Sequence, residues 1–176
     1  MIILTLNNFV KLSHDMKSFS FAPITSNDAN ILILGTMPGT KSLELNQYYG
    51  HKQNNFWKFM FIILKQDFSD DYQIRKSLLQ KNNIAVWDVL QFCDRIGSLD
   101  IAIKNEIAND FESYLAVHPN IKTIFFNGQK AAAFFKKYVH LKKSYNLITL
   151  PSSSPANAGQ SFDSKLEEWK IIENLM

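Results

Sequence analysis

Residues 31–57 read ILILGTMPGTKSLELNQYYGHKQNNFW. The first four form a short, continuous apolar run, the pattern of a strand buried on both faces, and Gly35 stops it. From about Asn54 the period changes. NNFWKFMFIILKQ (54–66) sets Phe56, Met60, Ile63 and Leu64 on one helical face. Between strand and helix lie Gly35, Pro38, Gly39, Tyr48, Tyr49, His51 and Asn54. That is more chemistry than a plain connection needs.

Working outward, the same alternation continues. SDDYQIRKSLLQKN (69–82) predicts a helix with Ser69 or Asp70 as its N-cap. IAVWDVL (84–90) predicts a strand ending near Asp88, and NDFESYLAVHPN (109–120) a short helix stopped by Pro119. IKTIFFNG (121–128) is a strand closed by Asn127 and Gly128, followed by the helix QKAAAFFKKYV (129–139). YNLITLP (145–151) is a strand that runs into SSSPANAG (152–159). SFDSKLEEWKIIENLM (161–176) is a terminal helix with Ser161 or Asp163 near its start. The order β, α, α, β, α, β, α, β, α predicts an α/β fold, a three-layer α/β/α architecture around a central, mainly parallel sheet. In such sheets a ligand binds outside the carboxyl ends of the strands. The expected organisation is a peripheral N-terminal segment, residues 1–20, and a single domain, residues 21–176.

Composition narrows the function classes. The chain has 176 residues, 46% hydrophobic and 20% charged, which suits one globular core. The net charge of +3 permits a polyanionic partner without demanding one. A lone cysteine, Cys93, leaves no pair for an internal disulfide and no cysteine metal cluster, so a reducing, cytoplasmic setting is expected. The opening MIILTLNNFVKLSHDMKSF has neither a basic leader nor a small-residue cleavage site, so no signal peptide is expected. No apolar run reaches the ~18 residues of a membrane span. HExxH, clustered histidines and the GxSxG elbow are all missing, so no metal and no cofactor is expected.

Three strand ends carry unusual loops, GTMPG, NG and PSSSPANAG, and the connection after the first also holds QYYGHKQNNFW. In GTMPGTKS (35–42), glycines four residues apart can bring backbone N–H groups close to a flat ligand, or simply make a turn. The loop is neither a GxxxxGK[ST] phosphate loop nor GxGxxG. In QYYGHKQNNFW (47–57), Tyr48 and Tyr49 suit stacking on a base or core packing about equally. Asn54 can hold a water or read a base edge. His51 alone is more often structural, and Phe56 and Trp57 suit the core. In LPSSSPANAG (150–159), hydroxyls held between prolines suit phosphate contacts or a surface turn. Asn127-Gly128 reads as a turn that starts a helix. Lys136, Lys137, Lys142 and Lys143 read as solvated faces.

Taken together, ILILGTMPGTKSL…QYYGHKQNNFW and LPSSSPANA resemble the uracil-DNA glycosylase superfamily. FAPI (21–24), IAVWDVL, GSLDIAI (97–103) and FFNG support the likeness, which spans roughly residues 21–175. Within the superfamily the chain looks most similar to the hypoxanthine-DNA glycosylases, then to the mismatch-specific uracil/thymine glycosylases. The resemblance implies a G-x-x-P-G first motif. In mismatch-type members an Asn between its glycines orients the attacking water; here Thr36 or Met37 fills that slot. The neighbouring H-x-x-N-x-F-W pattern is intact as His51, Asn54, Phe56 and Trp57, which points to Asn54 as the replacement catalytic amide, with His51 beside it.

The resemblance further implies a base pocket of Gly35, Thr36, Met37, Pro38, Gly39, Tyr48, Tyr49, Phe56 and Asn127. It implies DNA contacts from Ser152, Ser153, Ser154, Pro155, Ala156 and Asn157. Relatives open the second motif with His or Asn and carry a Leu wedge. Here Leu150 opens it, and Pro155, Ala156 and Asn157 are the candidates for the wedge. The implied activity is excision of a deaminated base, hypoxanthine first, from double-stranded DNA by a monofunctional, monomeric enzyme. Uracil or a G·T/G·U mismatch as the target, an inactive DNA-binding relative, and a nucleoside N-ribohydrolase are the other readings.

Overall fold

The strand that opens the stretch 31–57 is buried along its whole length. The computed structural model describes residues 17–95, 98 and 103–176. Strand β2 (Ile31–Gly35) is buried at every position, with Ile31 through Leu34 at 0% exposure. A strand covered on both faces must lie between two layers, as all-parallel sheets do. Its neighbours are β3 (Ile84–Asp88) and β6 (Thr123–Asn127), and β7 (Asn146–Leu150) follows β6. The order is β3–β2–β6–β7, parallel throughout.

The period of two along these strands divides the core. Ile31, Ile33, Ile84, Val86 and Phe125 face one apolar cluster. Leu32, Leu34, Ala85, Ile124 and Phe126 face the other. The first cluster is covered by α2 (Phe56–Ile63), α3 (Tyr72–Lys81) and α6 (Phe162–Trp169), through residues such as Met60, Leu79 and Trp169. The second is covered by α4 (Phe111–Val117) and α5 (Gln129–Tyr138), through Phe111, Leu115, Phe134 and Phe135. This is the expected three-layer α/β/α arrangement. A 3₁₀ helix, Lys170–Leu175, ends the chain.

Four elements escape the simple alternation. Helix α1 (Thr40–Leu45) lies inside the long first loop. Strands β1 (Lys17–Phe19), β4 (Leu90–Asp94) and β5 (Lys104–Ala108) form a separate antiparallel sheet in the order β1–β4–β5. Residues 1–16 of the N-terminal segment lie outside the described residues, as do all of GSLDIAI except Ser98 and Ile103.

Helix starts follow capping chemistry, with one correction. The N-cap of α3 is Asp71, not Ser69 or Asp70; its carboxylate accepts from the Gln73 and Ile74 N–H groups. Ser69 instead accepts from the Asp71 N–H, and Asp70 pairs with Arg75 at 2.7 Å. Ser161 caps α6, accepting from the Ser164 N–H.

Register then sets the site. Gly35 pairs with Asp88 and Asn127 with Leu150, while Leu34 pairs with Phe126. Asp88, Gly35, Asn127 and Leu150 therefore stand side by side along the carboxyl edge of the sheet. Two of the candidate loops leave directly from that edge, after Gly35 and after Leu150, and QYYGHKQNNFW follows α1 in the same connection as the first.

Candidate active site

These loops enclose a cavity of about 600 Å³. One wall is the first-motif loop, Gly35, Thr36, Met37, Pro38 and Gly39. Tyr48, Tyr49, His51 and Asn54 form a second wall, and Asn127 with Ser152 through Asn157 forms a third. Among the described residues no cluster of three or more His, Cys, Asp or Glu side chains is placed to hold a metal ion. None of the helices is long and apolar enough to cross a membrane, again among the described residues.

The first loop is fixed from below. Val89 N–H donates to Gly35 O and Leu90 N–H to Thr36 O, so β2 and β3 stay joined past their last paired residues. Arg95 donates to Pro38 O from a buried position. Thr36 and Met37 are each 7% exposed, and Met37 packs into the second core cluster. Both residues of the slot between the glycines are nearly buried, and both also line the cavity.

Asn54 approaches from the other side. Its own N–H donates to His51 O, which closes the turn before α2. Its Oδ1 accepts twice, from Phe56 N–H at 3.0 Å and from Ser153 Oγ at 2.8 Å. Among the described residues nothing accepts from its Nδ2. His51 is exposed at the rim, and its Nδ1 accepts from Gln53 N–H at 3.2 Å.

Two expectations need correction. Phe56 does not reach the cavity. It is 0% exposed, and its ring stacks behind Tyr49 with centroids 3.9 Å apart at 21°. Opening the first full turn of an apolar helix, it is drawn into the core while Tyr49, one residue short of Gly50, presents its ring to the cavity. Ser153 is not a surface phosphate contact either. It is 0% exposed, its N–H donates to Asn127 Oδ1, its carbonyl accepts from Asn55 N–H, and its hydroxyl reaches Asn54.

The rest of that loop is more open. Pro155 and Ala156 are exposed at its tip, while Asn157 is half-buried and donates to Ser152 O. Local bonds stiffen it: Ser154 N–H donates to Ser152 Oγ, and Ala156 N–H to Ser154 Oγ.

Tyrosines floor the cavity. Tyr48 is 3% exposed, and its hydroxyl donates to Phe21 O. Tyr49 sits at φ 53°, in the left-handed region that an aromatic residue rarely adopts. Its hydroxyl is buried without a well-formed hydrogen bond. Burial, helped by the negative charge of Asp88, pushes the ionisation of both tyrosines well above the ordinary range; Asn127, close to the Tyr49 hydroxyl, opposes the rise there. Both are neutral phenols at physiological pH.

Three wall residues, Lys41, Ser42 and Ser98, had no place in the sequence reading of the site, and a fourth, Asp88, had no assigned role. Asp88 was legible as the last residue of a predicted strand. Its carboxylate is 3% exposed and accepts from Ser20 Oγ at 2.8 Å. Lys41 and Ser42 depend on α1, which the pattern did not reveal. Ser98 Oγ accepts from Thr40 N–H and donates to Thr40 Oγ1 across the rim.

Fold and site together define a three-layer α/β protein. Its cavity lies over the carboxyl ends of a parallel sheet and is lined by amides, hydroxyls and aromatic rings. The uracil DNA glycosylase superfamily profile matches residues 22–175, and the chain belongs to that superfamily. It is 37% identical over 155 residues to a hypoxanthine DNA glycosylase of Methanosarcina barkeri, covering 88% of this chain and 96% of that one. It is 34% identical over 155 residues to a hypoxanthine DNA glycosylase of Methanosarcina acetivorans, covering 86% and 95%. The solution NMR structure of a candidate uracil DNA glycosylase from Methanosarcina acetivorans superposes with a TM-score of 0.77 at 31% identity. The match covers 90% of this chain and 97% of that one.

Proposed function

We propose that this chain is a monofunctional DNA glycosylase of base excision repair. Its target is a deaminated base in double-stranded DNA, with hypoxanthine first, and it acts as a cytoplasmic monomer. The observation that carries the reading is the Asn54 amide, held at the wall of a strand-end cavity of about 600 Å³. That volume lies within the ~300–1,000 Å³ of small-molecule sites.

A base inside a duplex is out of reach, so the nucleotide must be turned out into the cavity. Tyr49 offers its ring as the stacking platform, with Phe56 behind it. Backbone groups of Gly35–Gly39 line the slot. Pro155 and Ala156, exposed beside the cavity, would fill the gap left in the base stack. As the N-glycosidic bond breaks, positive charge develops on the sugar and the base departs with the electron pair. A donor fixed beside that base lowers the barrier as an oxyanion-hole donor does. Water completes the hydrolysis and leaves an abasic site. Lys41 lies at the rim with its ammonium paired to Glu44 at 2.8 Å, and the reaction as proposed uses no amine.

The test is a panel of duplexes, each carrying one inosine, uracil, xanthine, ethenocytosine or G·T mismatch. Release of hypoxanthine, with strand scission only after alkali, is the expected outcome. Preference for uracil would support the second reading, which the likeness to a candidate uracil DNA glycosylase favours. Binding without release from any duplex would leave an inactive DNA-binding relative.

A further inference from the structure

We infer that Asn127 and Ser153 are positioning residues that fix which way the Asn54 amide points, making Asn54 a hydrogen-bond donor toward the departing base. The inference rests on the glycosylase reading and deepens it.

An Asn side chain can present either its oxygen or its NH₂ group, and the choice is set by its partners. Here two backbone N–H groups, which can only donate, decide it. Ser153 N–H donates to the Asn127 side chain at 2.8 Å, so the atom it meets is Oδ1. That leaves Asn127 Nδ2 against Ser153 Oγ at 2.8 Å, donating to it. The hydroxyl proton must then go to the remaining partner, Asn54 Oδ1, at 2.8 Å. Phe56 N–H donates to the same oxygen at 3.0 Å. Both ends of the relay agree on this assignment.

Asn54 Oδ1 is thereby filled by two donors. What the side chain can offer the cavity is Nδ2 with its hydrogens. A group of this kind stabilises negative charge on a leaving base; it does not draw a proton from water. The relay is also well placed to hold its setting. Ser153 is fully buried and Asn127 is 9% exposed, so water does not compete for these bonds.

Two measurements test this. In ¹⁵N-labelled protein without DNA, the Asn127 side-chain NH₂ should exchange with solvent at least tenfold more slowly than that of Asn54. The reverse pattern would overturn the orientation, whatever the enzyme excises. In single-turnover excision, Asn54→Asp keeps an acceptor for Ser153 and Phe56 but has no proton to present at neutral pH. We expect a loss of more than a hundredfold at pH 7.5, DNA affinity within threefold of wild type, and partial recovery at acidic pH as the carboxyl regains its proton. A rate equal to wild type or faster would mean that the group acts as an acceptor for water, and the inference fails.

Ser153→Ala should lower the excision rate about tenfold with DNA affinity unchanged, and Ser153→Cys, which restores a weak donor, should recover part of it. A wild-type rate in Ser153→Ala would remove the relay. If wild-type protein releases no base from any duplex, the glycosylase reading falls, while the exchange experiment still decides the amide's direction.

Discussion

Gly35 and Asp88 face each other across the ends of β2 and β3 so closely that a Cβ on Gly35 would lie 2.6 Å from Asp88 Oδ1. The same Cβ would lie 3.2 Å from the Tyr49 hydroxyl. The missing side chain is what lets a carboxylate and a phenol share the floor of the cavity. Gly35→Ala should destabilise the protein by about 1–3 kcal/mol through overpacking, and should slow excision at least tenfold. Urea unfolding and single-turnover kinetics measure the two effects. Unchanged kinetics would mean the carboxylate can turn aside freely.

Asn54→Ala removes the amide without opening a core void, because Asn54 is only half-buried. Loss of one such donor is worth about 3 kcal/mol, roughly a hundredfold in turnover. DNA binding, assayed separately by fluorescence anisotropy, should persist. Near-normal turnover would show that another group carries the chemistry.

Alkaline pH should unfold this protein through its tyrosines. Tyr48 and Tyr49 ionise far more reluctantly when folded than in an unfolded chain, where the phenol titrates near pH 10. The stability linked to them is therefore fully present below about pH 10 and is lost as pH climbs toward the folded values. Urea midpoints should fall steeply above pH 10 in wild type and less steeply in Tyr49→Phe. Parallel curves for the two proteins would contradict the assignment.

Phe56 and Asp71 separate packing from capping. Phe56→Ala empties a site that is 0% exposed and removes the ring behind Tyr49, so it should cost about 3–5 kcal/mol and also impair excision. Asp71→Ala removes two cap hydrogen bonds from α3, away from the cavity, and should cost about 1 kcal/mol with excision unchanged. Calorimetry and kinetics on the pair test both statements.

The parallel sheet was legible because Ile31–Leu34 and Ile124–Phe126 are continuous apolar runs, which only a doubly covered strand requires. The antiparallel sheet was not. Strand β5 is KNEIA, largely exposed, with no alternation to betray it, and β4 follows β3 after a single residue. At the site, the loops that line the cavity could be read from glycine, proline and amide placement at strand ends. The direction each side chain takes could not. Phe56 and Asn54 are two residues apart, yet one turns into the core and the other to the cavity wall. Three consecutive serines look alike in sequence, and only the register of β6 against β7 selects Ser153 for burial beside Asn127.

The bond between Ser153 and Asn54 spans 99 residues of chain. Asn54 is synthesised early, but its oxygen has only the Phe56 N–H to meet until Ser153 has left the ribosome and β7 has joined the sheet. A chain ending before Ser153 lacks that donor, so the setting of the Asn54 side chain depends on a segment at the far end of the domain. The direction of one side chain near the start of the domain is thus decided by closure of the sheet at its far edge.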